Sequence, residues 1–135
     1  MHRIAVASLA AILIAVLASC SGSGAGGEVA VTIKDSSLTV EPATFAAGDI
    51  AFGIQNDGPS THEFVVIRSD ERPGELPVEN GLIPEDQIDL VDEVEDIAPG
   101  TNTTLTVNLA VGSYVLVCNL SGHYEAGVYA GFTVA

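Results

Sequence analysis

The chain has 135 residues and carries 18 Asp and Glu against 4 Lys and Arg, a formal net charge of −14. That balance offers no basic patch to meet phosphates, so no nucleic-acid partner is expected. Such charge keeps a protein soluble and does not by itself name a partner.

The first residues form a processing segment. His2 and Arg3 are a short basic start, and residues 4–17 are an apolar run too short to span a bilayer comfortably. Small residues follow, so residues 1–19 read as a secretory signal peptide. Leu17-Ala18-Ser19-Cys20 resembles a bacterial lipobox, in which cleavage before Cys20 leaves a diacylated cysteine as the new N-terminus. An ordinary signal peptide that happens to end near a cysteine is the alternative. Residues 20–27 are then the lipid-bearing Cys20 and a flexible Gly/Ser linker, which as a random coil reaches roughly 15 Å. The expected location is the extracytoplasmic face of the bacterial cell membrane.

Residues 28–135 remain as one domain, large enough to bury its own core. With Cys20 lipidated, Cys118 is the one cysteine left, and an internal disulfide is excluded. Cys118 is therefore a buried small hydrophobe or a ligand.

The hydrophobic period along this domain is two. Val29, Val31 and Ile33 alternate with Ala30, Thr32 and Lys34, and Leu38 and Val40 flank Thr39. Alternation continues over residues 50–55, from His62 to Arg68, through Leu105, Val107 and Leu109, over residues 114–118 and over residues 128–134. Turn residues separate these runs at Gly48, Asp57-Gly58-Pro59, Pro99-Gly100 and Gly112. Short, evenly spaced strands of this kind argue an all-β sandwich or barrel.

Residues 69–97 break the rhythm as an acidic insertion holding 11 of the 18 acidic residues, with Pro73, Pro77 and Pro84. The ordinary fate of such a charge run is a solvated insertion. A sharper reading is an electronegative docking face for a basic redox partner or a cation. Ile88, Leu90, Val91, Val94 and Ile97 fit a short strand or a helical turn equally well.

Chemistry concentrates in three residues. Once residues 1–19 are removed, His62 and His123 are the only histidines, and Cys118 is the only unmodified thiol. Two imidazoles and one thiolate are the trigonal ligand set of a blue-copper electron-transfer site. His62 opens one strand-like run, Cys118 closes another, and His123 lies on the loop before the last run. Zinc could also take a Cys-His-His set. Ser60-Thr61-His62 lacks the glycine elbow and residue order of a hydrolase triad, and the acidic pairs lack a partner base, so no enzyme is expected.

These residues carry a family resemblance. Asn56-x5-His62-x-Phe64, then Tyr114-x3-Cys118-x4-His123-x3-Gly127, then Phe132-Thr133-Val134 resemble the cupredoxins, the plastocyanin and azurin family. The four-residue gap between Cys118 and His123 is nearer the rusticyanin and sulfocyanin type. The resemblance implies a Greek-key β-sandwich over residues 28–135, one copper ion held by His62, Cys118 and His123, and one-electron transfer with a redox partner protein. Copper delivery, or a metal-free binding domain of the same fold, are the other functions it allows.

Two departures bear on the site. The family's axial methionine would fall at Val128, which cannot ligate, and the sequence after residue 1 contains no methionine. The site is then three-coordinate, or takes a backbone carbonyl such as that of Thr61 as a weak fourth donor. Glu63 stands where an asparagine often follows the first histidine, and it is expected to face solvent.

Overall fold

Residues 27–135 are described in the computed structural model; the expected signal peptide, lipid-bearing Cys20 and linker, up to residue 26, lie outside the described residues. The period-two runs become strands β1 (Gly27–Lys34), β2 (Ser37–Glu41), β4 (Gly48–Asn56), β5 (His62–Arg68), β7 (Asn102–Leu109), β8 (Gly112–Val117) and β9 (Tyr129–Val134), with a two-residue β3 (Thr44–Phe45) between β2 and β4. Of the two readings of Ile88, Leu90, Val91, Val94 and Ile97 the strand holds: Leu90 to Ile97 lie on β6 (Asp89–Ile97), and a 3₁₀ turn at Glu85–Gln87 precedes them. Among the described residues no helix is long and apolar enough to cross a membrane.

The strands form two mixed sheets, β2-β1-β4-β7 and β3-β9-β8-β5-β6, packed face to face as a sandwich. Strands β1 and β4 pair in parallel, and so do β3 and β9; every other pairing is antiparallel. Between the sheets lie Val29, Val31 and Ile33 of β1, Phe52 and Ile54 of β4, and Phe64 and Val66 of β5, all buried. Phe52 ties the sheets together, with its ring 5.3 Å from both Phe64 and Phe132. Tilted and edge-on pairs of this kind contribute about 0.5–1.5 kcal/mol each beyond area burial.

The other face of the five-stranded sheet is also covered. Val65, Ile67, Val115 and Val117 point away from the sandwich interior and are buried beneath Leu76, Ile83 and Tyr124. Leu76 and Ile83 belong to the acidic segment and anchor it to the sheet, while Leu82 and Val91 of the same segment stay exposed. The rest of that segment runs out along β6, at the edge of the sheet, with Asp89, Asp92, Glu93, Glu95 and Asp96 on it. Charges on an edge strand also deter pairing with another chain.

Two features aim one end of the sandwich. Lys34 pairs with Ser37, so Asp35 and Ser36 form a two-residue hairpin between β1 and β2. Ile33 lies beside Asn56 in the parallel pairing, which sets that hairpin next to the segment leading to His62. The β5–β6 register shifts between His62 and Phe64, and Asp96 opposite takes φ 54, the local bend of a bulge beside the first candidate ligand.

Candidate metal centre

Period two decides where the ligand types point. His62, Phe64 and Val66 share the inner face of β5, and Leu116 and Cys118 share the inner face of β8 and its extension. The final members of these two rows, His62 and Cys118, lie where the core ends. Both are fully buried. His123 reaches the same point from the loop between β8 and β9 and stays partly exposed.

The three donor atoms converge. His123 Nδ1 lies 3.1 Å from His62 Nδ1 and 3.4 Å from Cys118 Sγ. All three lie within 4.8 Å of one another. Imidazole nitrogens that share one ion at about 2.0–2.1 Å each are separated by at most ~4.2 Å, and the His–His separation satisfies that limit. The two rings meet edge to face with centroids 4.9 Å apart, so both can turn Nδ1 inward without clashing.

Main-chain hydrogen bonds hold the ligand loop. The Cys118 amide donates to the Val128 carbonyl at 3.0 Å, and the Val128 amide donates to the His123 carbonyl at 3.1 Å. Val128 is fully buried. The Glu63 amide donates to Cys118 Sγ at 3.4 Å, a contact that favours the thiolate. Asn56 braces the approach to His62: its Nδ2 donates to the carbonyls of Ser60 and Ile97 at 2.9 and 2.8 Å, and its Oδ1 accepts the Gly58 amide at 2.9 Å.

The residue that sequence reasoning missed is Asp35. Its Oδ1 lies 3.1 Å from His62 Nε2, and its Oδ2 accepts from Ser60 Oγ at 2.9 Å. A carboxylate only accepts, so Nε2 of His62 carries the hydrogen and Nδ1 presents a lone pair to the site. Asp35 and His62 are 27 positions apart, and no spacing motif links them. The near signal was the neighbouring pair Asp35-Ser36, a tight-turn composition whose place beside His62 follows only from the β1–β4 pairing.

Electrostatics act differently on the groups of the site. Partial burial raises the Asp35 carboxyl, but hydrogen bonds from Ser60 and His62 outweigh it and hold the group below the usual aspartate range. Burial and the nearby His62 push His123 down, against a smaller pull upward from Asp35, which favours the neutral imidazole that ligation needs. Burial pushes the Cys118 thiol up despite the amides of Glu63 and Leu120. A metal must therefore displace the thiol proton.

Glu63 departs from its expected solvent position. It is only 9% exposed, and it lines a cleft with Glu79, Ile83, Glu85, Asp86 and Asn119. The acidic segment folds over it, a contact that local alternation could not disclose. Burial raises its carboxyl above the usual range, a backbone contact with Asn119 lowers it in part, and Glu93, Glu95 and Glu85 push it further up.

Comparison with known proteins agrees with this fold. The family model described as the cupredoxin-like domain matches residues 7–128. No curated protein matches. Among solved structures, the chain is similar to dithionite-reduced auracyanin from Roseiflexus castenholzii, at 22% identity and TM-score 0.57, covering 84% of this chain and 99% of that one. It is similar to rusticyanin from Thiobacillus ferrooxidans at 18% identity and TM-score 0.61, covering 84% and 79%. An azurin from Methylomonas sp. strain J is similar at 14% identity and TM-score 0.57, covering 80% and 97%. With a nine-stranded double sheet, a His-Cys-His group at its end and a family match over most of its length, the chain belongs to the cupredoxin-like family.

Proposed function

We infer that this chain is a type 1 copper electron-transfer protein, held at the extracytoplasmic face of a bacterial membrane by lipidated Cys20, and that it catalyses no reaction of its own. The observation that carries the reading is the convergence of one buried thiol and two imidazole Nδ1 atoms at the end of a rigid sandwich. The donor set fits copper: the soft thiolate suits Cu(I) and the imidazoles suit Cu(II). When bound, the copper ion supplies a one-electron couple.

The chain's own residues do the rest. His62 opens β5, Cys118 directly follows the paired strand β8, and His123 is tied to Val128 through the main chain, so the ligand positions are fixed before any metal arrives. Such fixed positions suit rapid electron transfer because neither oxidation state has to rearrange the protein. Val128, buried and bonded through its main chain to the loop, would offer a bound copper ion no side-chain donor beyond the thiolate and the two imidazoles. His123 is the most exposed of the three and would be the edge at which a bound copper ion meets a partner. The redox partner is a protein, and the carboxylates of β6 and the neighbouring loop favour a basic one.

The test is visible absorption and EPR of the full chain, purified in detergent, before and after one equivalent of Cu(II). An intense thiolate-to-copper band that is absent in Cys118→Ser is the expected result. A folded β-rich protein without that band refutes the reading. A band together with Cu(I) exchange faster than electron exchange makes the chain a copper-delivery module.

A further inference from the structure

We propose that Asp35 is a positioning residue for the metal centre, holding His62 as the Nε2–H tautomer and lending its negative charge to the ligand set. The proposal rests on the copper-site reading for its redox half, while its positioning half concerns His62 alone.

The geometry is specific to this contact. His62 is fully buried, and among the described residues the one acceptor at its Nε2 is Asp35 Oδ1 at 3.1 Å. The carboxylate is itself held in place, since Ser60, two residues before His62, donates its hydroxyl to the second oxygen. The β1–β2 hairpin and the segment entering β5 are thus cross-linked by one aspartate with two partners. Gly58 makes room for the pair. A Cβ at that position would lie 2.7 Å from Asp35 Oδ1 and 3.1 Å from His62 Nε2. The buried Gly58 is thus a window through which hairpin and histidine meet.

Two consequences follow for the ligand. With the hydrogen fixed on Nε2, the lone pair of Nδ1 faces His123 and Cys118 without a tautomeric cost. The anionic acceptor also makes the imidazole a better donor, which favours Cu(II) over Cu(I). This opposes the missing thioether at Val128, which favours Cu(I).

Nitrogen-15 NMR of the histidine-labelled, copper-free chain reads the tautomer, and a redox titration of the copper-loaded chain reads the charge. The native chain should show His62 protonated at Nε2 alone, and Asp35→Ala should mix the two tautomers. Gly58→Ala should do the same with the carboxylate still present. Asp35→Asn keeps an acceptor oxygen and should keep the tautomer, while its Cu(II)-to-Cu(I) affinity ratio falls about tenfold, the lower end for partners of metal ligands. That change corresponds to a rise of ~59 mV in potential for a one-electron couple. A tautomer unmoved in Asp35→Ala, or a potential unmoved in Asp35→Asn, overturns the proposal. A chain that takes up no copper yet keeps His62 as Nε2–H refutes the proposed function and supports the positioning role.

Discussion

Replacing Asn56 by alanine tests whether the approach to the metal centre is held by one side chain. Three backbone groups depend on it: the carbonyls of Ser60 and Ile97, at 2.9 and 2.8 Å from Nδ2, and the Gly58 amide, 2.9 Å from Oδ1. Asn56 is fully buried, so water does not replace the lost partners at once. At about 1 kcal/mol for each bond lost, the variant should be destabilised by about 3 kcal/mol. For a domain of this size, with stability of ~5–15 kcal/mol, that is a substantial share. In urea, with a slope of about 1.5 kcal/mol/M, the unfolding midpoint should fall by about 2 M. Asn56→Asp is the sharper variant, because it sets a carboxylate oxygen against two carbonyl oxygens and removes both donors. It should cost more than alanine although it is closer in shape. A midpoint that moves less than about 0.5 M in Asn56→Ala, or an aspartate variant as stable as the native chain, would refute the reasoning.

Two further outcomes follow from the site. Val128→Met should lower the reduction potential by adding a thioether donor, at about 1–3 kcal/mol of stability for extra volume in a closed core; a redox titration showing a higher potential would contradict this. Glu63→Gln should stabilise the copper-free chain at neutral pH, because burial raises the native carboxyl above its unfolded value. A group raised in this way stabilises the fold only when protonated, so the gain over native should shrink as pH falls through the raised value toward the ordinary glutamate range. Denaturant unfolding of both chains across that range checks the sign, and a gain that grows on acidification would contradict it.

The sandwich was legible because alternation is a local property. Val29, Val31 and Ile33, or His62, Phe64 and Val66, declare a strand and its buried face within six residues, and the ligand triad stood out because residues 28–135 hold no other histidine or cysteine. What stayed hidden depends on contacts between distant segments. Asp35 meets His62 only because β1 lies parallel to β4, a pairing across a crossover that no spacing announces. Glu63 is buried because Ile83 and its neighbours fold over the outer face of β5, and the acidity of that segment conceals its few apolar anchors. The two-residue β3 is too short to carry a periodic signal.

The way Val128 grips the ligand loop divides two jobs that proteins often combine in one residue. Its amide and carbonyl close the loop at either end, and every amino acid except proline supplies those same two groups. The side chain is left with volume as its main constraint. A lineage carrying this scaffold can therefore exchange the side chain at this position without redrawing the loop, one substitution at a time.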